Sequence, residues 1–477
     1  MSALPKKNPW YPISYFGIFG NFTLFMNRLL PRLGFAFLAL IVILLAGVLV
    51  ARTLFINYLH SDAFRAALGQ GAANALGADH AEFAPLQFDG SMVYGDDFHA
   101  TRADGGGFSK IDANQLRSTF DWMGLLHHTV QVDELAIQQL NIEAPTQGSV
   151  EAAAATGAEA GGTPTPIGYQ SAGWKLDLRK AEIAELNWHW MDSPSGGITG
   201  AAVTMTPDGD GAWVIDAEGG TLHPGTMPDL ALDSASMRWQ GPTLYIYSAT
   251  LHNGGSHYTV TGSVASRQAA DLRVALDGVD VQPFLPPDWA RRLTGTISGV
   301  ANVHAPLGVA DAAQQVTVSG SLGMTDAQLT ALPILDEIGI FTHTERFRQL
   351  ELNRVSGDFT RSANRLEVRN IIVEAEGLIR MEGDYTVVDG RIDGNFQMGL
   401  SPGTLQWIPG AADQVFVDSR GGYRWTPMHV TGSVEHPVDD LTPRLIAAAA
   451  NSVIHGAQDI EGTVKKAGED ALDMLLH

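Results

Sequence analysis

The chain has 477 residues, of which 45% are hydrophobic and 17% charged, with a formal net charge of −22 and no cysteine. Such a composition belongs to a chain that folds, because disorder needs low hydrophobicity together with high net charge. The acidic balance speaks against nucleic acid as a partner, which calls for clustered Lys and Arg, and the lack of cysteine excludes disulfides, thiolate metal sites and cysteine nucleophiles.

Residues 1–33 read as a cytoplasmic or interfacial segment, aromatic and moderately apolar between Trp10 and Leu30. From Gly34 to Ala51 the run GFAFLALIVILLAGVLVA carries no charge, and roughly eighteen such residues suffice to cross a hydrocarbon core of about 30 Å. A transmembrane anchor is therefore expected over 34–55. Lys6, Lys7, Arg28 and Arg32 precede the span and no acidic residue appears before Asp62, so the N-terminus is expected in the cytoplasm and the body on the far side. The apolar core is long and runs into Arg52-Thr53-Leu54-Phe55, which favours an uncleaved anchor over a signal peptide.

Residues 56–145 are expected to form an α+β region that opens on a helix, with Phe64, Leu68 and Ala72 at spacing four. The alanine-rich run from Glu151 to Ala160 and Gly161-Gly162-Thr163-Pro164-Thr165-Pro166 mark a linker or long loop over 146–168. Residues 169–441 alternate apolar and polar positions between turn signals, as in Trp174-Lys175-Leu176-Asp177-Leu178 and Leu272-Arg273-Val274-Ala275-Leu276, the period of half-buried strands. An antiparallel sheet is expected.

Its sharpest unit is a hairpin about Asp389-Gly390, a dipeptide suited to the two-residue type I′ turn. With that turn, Val387 faces Ile392, Tyr385 faces Gly394, Gly383 faces Phe396, Met381 faces Met398 and Ile379 faces Leu400, all on one side. Arg380, Glu382, Asp384, Arg391, Asp393 and Asn395 take the other side. Over 442–477, Thr442-Pro443 reads as an N-cap and first helical residue. A stripe through Ile446, Ala450, Val453 and Ala457 then predicts an amphipathic helix.

Catalytic patterns are missing: there is no G-x-S-x-G, H-E-x-x-H or Walker loop. Gly69-Gln70-Gly71 lacks the rest of a dinucleotide fingerprint. Asp208-Gly209-Asp210-Gly211 lacks the closing carboxylate of a calcium loop, Gly219 standing in its place. His127, His128, His189 and His343 with Glu345 are scattered, and Trp188-His189-Trp190 reads as a strand. No enzyme activity, cofactor or metal is expected.

From about Leu293 to Arg444 the order of elements carries a family likeness. It comprises Val316 to Leu322, Thr325 to Leu329, a short apolar helix near Leu332 to Phe341, Phe347 to Leu352, Val355 to Phe359 and Leu366 to Val373 with Gly377. The hairpin follows, then Val430-Thr431-Gly432-Ser433-Val434 leading to Pro437. This order resembles the C-terminal region of the AsmA-like family of bacterial envelope proteins. The resemblance implies an inner-membrane anchor and a periplasmic, elongated, curled antiparallel sheet with an apolar inner face. It also implies a role in lipid movement and outer-membrane homeostasis.

The expectation is thus a mainly β protein with an N-terminal transmembrane helix, an antiparallel sheet, short helices and a C-terminal amphipathic helix. Its body would hold the acyl chains of a phospholipid or other envelope lipid, with Ile379, Met381, Tyr385, Val387, Ile392, Phe396, Met398 and Leu400 lining the groove. The alternative is a non-lipid periplasmic scaffold that binds a protein partner, with the acidic C-terminal helix as a contact. Reporter fusions after Ser61 should be active in the periplasm alone; activity of a cytoplasmic reporter at that site would reverse the topology.

Overall fold

The computed structural model describes residues 61–451 apart from 104–107, 122–128, 145–169, 172–173, 191–195, 210, 226, 266–267, 286, 308–311, 331–348, 407 and 409. The anchor 34–55, the linker 146–168, the helix expected near 332–341 and the helical stretch beyond 451 lie outside the described residues, as do His127, His128, His343 and Glu345. Among the described residues no helix is long and apolar enough to cross a membrane.

The chain divides into residues 1–68 and 69–477, and helix α1 (Asp62–Leu76) runs through the division. Gly69 is helical. A Cβ there would stand 2.4 Å from the carbonyl oxygen of Ala81, so this glycine serves a close backbone approach between helix and strand.

Strands β1 (His80–Phe83) and β2 (Gln87–Asp89) both pair with β3 (Met92–Thr101). That strand pairs with β4 (Lys110–Asp121), and β4 with β5 (Thr129–Glu143). Next come β6 (Gln170–Ser171), β7 (Trp174–Leu178) and β8 (Ala181–Trp190), and β5 runs parallel to both β7 and β8. The expectation of antiparallel pairing fails at this step, for a reason of connectivity. Parallel neighbours need a crossover of roughly a dozen residues or more, and the stretch between Glu143 and Trp174 is long enough to make one. The strands before and after that stretch belong to one sheet.

From there the chain folds as an antiparallel meander. Its first part comprises β9 (Gly196–Pro207), β10 (Ala212–Glu218), β11 (Thr221–His223), β12 (Leu230–Gln240), β13 (Thr243–Asn253) and β14 (Ser256–Ala265). The middle is β15 (Ala269–Asp280), β16 (Leu293–Pro306), β17 (Thr317–Thr330), β18 (Gln349–Leu352) and β19 (Arg354–Ser362). It ends with β20 (Arg365–Ala375), β21 (Ile379–Val388), β22 (Arg391–Leu400), β23 (Asp418–Arg420), β24 (Tyr423–Ser433) and β25 (Pro437–Asp439). The β21–β22 hairpin has the expected register, Ile379 with Leu400 through Val387 with Ile392. Its turn residues Asp389 and Gly390 take φ of 51° and 73°, as a type I′ turn requires.

Behind β22 lie two helical turns, Pro402–Leu405 and Ala411–Gln414, and a helix over 441–451. Together they pack on the end of the sheet in one apolar cluster with Ile379, Phe396, Met398 and Leu400. The last helix differs from its sequence reading in phase. Its cap is Asp439, whose Oδ1 accepts the Thr442 N–H at 2.6 Å, so the helix begins before Thr442 and includes Leu441. Leu441, Leu445 and Ala448 are buried while Ile446 is 53% exposed; the stripe expected through Ile446 and Ala450 is displaced by one residue. Leu445→Ala should lower the stability of this end by about 2–5 kcal/mol, and Ile446→Ala by less than about 0.5, in urea unfolding followed by tryptophan fluorescence. Equal effects would restore the sequence phase.

Candidate ligand-binding face

Register partners in a sheet point to the same side, so a lateral row of partners shares one face. From Gly95 in β3 the partners run Leu116, Ile137, Ile183 and Val203. They continue as Ala217, Ala235, Ala249 and Val260, then Val274, Ala301, Gly320 and Phe359. The row closes with Val368, Tyr385, Gly394 and Val430. Every position is apolar or glycine. One rank of nonpolar residues therefore crosses the sheet from β3 to β24.

Simple alternation would not keep the flanking residues on that face. In β20, Val368 and Ile371 are three apart yet pair with Tyr385 and Gly383, which are two apart, and Asn370 between them takes φ of 53°. This is a β-bulge, one unpaired residue that resets the phase of its strand. The same step lies between Leu276 and Val279 in β15, where Gly278 has φ of 62°. It recurs between Ile246 and Ala249 in β13 and between Ile183 and Leu186 in β8.

Burial divides the face into zones. Ile183, Val203, Ala217 and Ala235 form a buried cluster with partly buried residues drawn from strands alone. Val274, Ala301 and Phe359 are only half-buried, as are Val260, which packs beside buried Leu251, Tyr258 and Val279, and Val368, which borders the cluster at the far end. At the far end the helices close the face: Leu405, Ile408, Phe416, Leu441 and Leu445 pack with Ile379, Phe396, Met398 and Leu400.

The groove residues expected from the sequence are thereby split. Ile379, Phe396, Met398 and Leu400 are 7%, 7%, 5% and 0% exposed. They are sealed under the helices instead of lining an open floor, because the segments that follow β22 and β25 fold back over them. Met381, Tyr385, Val387 and Ile392 stay half-buried, and burial pushes the Tyr385 phenol up from its ordinary pKa. The sequence reading missed Val260, Val274, Ala301, Phe359 and Val368. For Val368 the signal was its apolar pair with Ile371 at i and i+3, and in β15 the pair Leu276 and Val279 marked the same break; Val260 and Phe359 carry no such pair.

The opposite face is polar and carries several internal pairs. Arg380 contacts Glu374 at 3.1 Å and Glu382 at 2.7 Å, and Arg420 reaches Glu382 at 2.7 Å. Burial disfavours the Arg380 charge, but Glu382 and Glu374 outweigh it and raise its pKa. Hydrogen bonds from Ser321 and Asn370 hold the Asp358 carboxyl below its ordinary range. His99 meets Asp112 and His304 meets Asp271, each at 2.6 Å.

Asp208, considered above for calcium, pairs with Arg238 at 2.7 Å, and among the described residues no group of metal-ligating side chains assembles. His189 lies half-buried in β8, whose end carries Trp190, and Trp188 is 40% exposed in register with Ile142 and Ile198.

An acidic substitution distinguishes the zones. Met398→Asp places a carboxylate under the helices and should destabilise the fold by several kcal/mol, whereas Val274→Asp on the half-exposed face should cost no more than about 1–2 kcal/mol. Thermal melts of the two variants read the difference, and equal losses would mean that the middle zone is sealed as well. Comparison of the chain with family models, with characterised proteins and with solved structures finds no match.

Proposed function

We propose that the chain is a single-pass protein of the bacterial inner membrane, with its N-terminus in the cytoplasm and its body in the periplasm. There it serves envelope maintenance by holding or moving lipid acyl chains in an apolar β-groove. The resemblance to AsmA-like proteins implies this role, and the unbroken apolar rank from Gly95 to Val430 is the observation that carries it. At about 4.8 Å between strands, the rank offers a path of roughly 75 Å along the sheet. Each acyl methylene taken from water onto such a path contributes about 0.8 kcal/mol, so lipid can be held with no bond made or broken.

The scaffold alternative expects a closed core throughout, with the acidic surface or the terminal helix as the contact for a protein partner. Half-buried Val274, Ala301 and Phe359 weigh against the closed core.

A photo-crosslinking residue at Val274 tests the reading against one at Arg273, its neighbour on the polar face. The full chain should copurify with lipid, and adducts should form several-fold more from position 274 than from 273. Adducts to protein alone, or equal adducts from both faces, would favour the scaffold.

A further inference from the structure

Near the turn that joins β19 to β20, the face carries a row of register partners Val318, Arg361, Leu366 and Val387. Arg361 interrupts an otherwise apolar row. It is exposed, and among the described residues its side chain has neither an ion pair nor a hydrogen bond. Arg365 and Arg391 lie one position nearer the turns of their strands, both in register with Val388 and likewise exposed and unpaired among the described residues. Three acids at this rim are already engaged. Asp389 accepts a hydrogen bond from Asn364 at 2.6 Å, Glu367 is paired with Arg369 on the polar face, and Asp393 lies 3.6 Å from His429.

A cation in this place has a chemical consequence. A chain of net charge −22 repels anions at long range, but over a Debye length of about 8–10 Å local charge decides. An arginine fork matches the oxygens of a phosphate, and the pair is stronger beside apolar surface than in bulk water. Inward from Arg361, the same side of β19 continues through half-buried Phe359 and Gly357 to Val355, which borders the closed cluster, a run of about 20 Å. A lipid tail occupies half of a bilayer core of about 30 Å, so one tail fits along this strand.

We propose that Arg361 binds the phosphate of a phospholipid whose tail lies along β19, which orients each bound lipid with its headgroup at this rim. The proposal rests on the acyl-binding reading above and adds headgroup selection to it. The test uses the full chain in amphipol with two tail-labelled probes, phosphatidic acid and diacylglycerol of the same tails. Phosphatidic acid should bind about tenfold more tightly, and Arg361→Gln should bring the ratio below about twofold with diacylglycerol affinity unchanged.

Arg354→Gln, which removes an equal charge from the polar face of the same strand, should leave the ratio intact. A ratio near one in the unaltered chain, or one that survives Arg361→Gln, overturns headgroup selection while diacylglycerol binding keeps the acyl reading standing. Loss of the ratio in Arg354→Gln as well would assign it to net charge and also overturn the proposal. If neither probe binds, the acyl reading fails and headgroup selection fails with it.

Discussion

The fold depends on keeping register partners in phase across the whole sheet. Side chains alternate along each strand, so a slip of one residue in any ladder would turn an apolar set toward water. In β8, β13, β15 and β20, where apolar residues stand three apart against partners two apart, a bulge restores the phase, and its placement is economical. In β20 one irregular region offsets the ladders to both β19 and β21. In β13, shifts near Ser248 serve β12 on one side and β14 on the other. The ladders joining β21 to β22 and β22 to β24 run without a shift. A strand with an extra residue thus keeps two regular neighbours in phase with each other.

The helical end follows from the same face. An exposed apolar sheet is an aggregation hazard, and at β21 and β22 the chain covers it with its own segments. Leu405, Phe416 and Leu441, all nearly or fully buried, meet Met398 and Leu400 in that cover. Arg444 ties the cover to β24, donating to Thr426 Oγ1 at 3.1 Å and to the carbonyl of Pro427. The face is therefore closed at the helical end, and along the rest of it half-buried Val274, Ala301 and Phe359 stand beside buried clusters on the strands from β8 to β15.

Local chemistry explains which parts were legible in the sequence. The β21–β22 hairpin could be read residue by residue because Asp389-Gly390 admits few turns and both strands alternate without a bulge. Strand β20 could not, since Leu366, Val368, Ile371, Val373 and Ala375 break the two-residue period at Asn370, and nothing in one strand alone says that its partner will absorb the break. The parallel step from β5 to β8 was illegible because register across a long connection is set by packing. The terminal helix was placed but phased wrongly: Thr442-Pro443 resembles a start, while Asp439 supplies the cap and brings Leu441 into the buried stripe. Sealing of Ile379 and Met398 was hidden for a similar reason, because the one-sided hairpin pattern is the same for an open face and a covered one.

The sheet's edges bear on what the face can hold. A peptide that adds as a strand needs a row of unpaired N–H and C=O groups. At the β24 edge, β25 pairs with Val430 to Gly432 and β23 with Tyr423 to Trp425. In the gap between them, Arg444 takes the Thr426 hydroxyl and the Pro427 carbonyl, while the His429 N–H donates to Asp440 Oδ1 and the His429 carbonyl accepts from the Asp440 N–H. Pro427 itself has no N–H to offer. At the opposite edge, β3 is covered by the short strands β1 and β2, and the Ala84 N–H reaches the Asp97 carbonyl at 2.8 Å. With both edges occupied by short segments and the apolar middle half-exposed, the surface suits a ligand that needs burial and no backbone hydrogen bonds. A hydrocarbon chain meets that requirement, whereas an extended peptide adding as a strand would have to pair with the outer edges of those short segments.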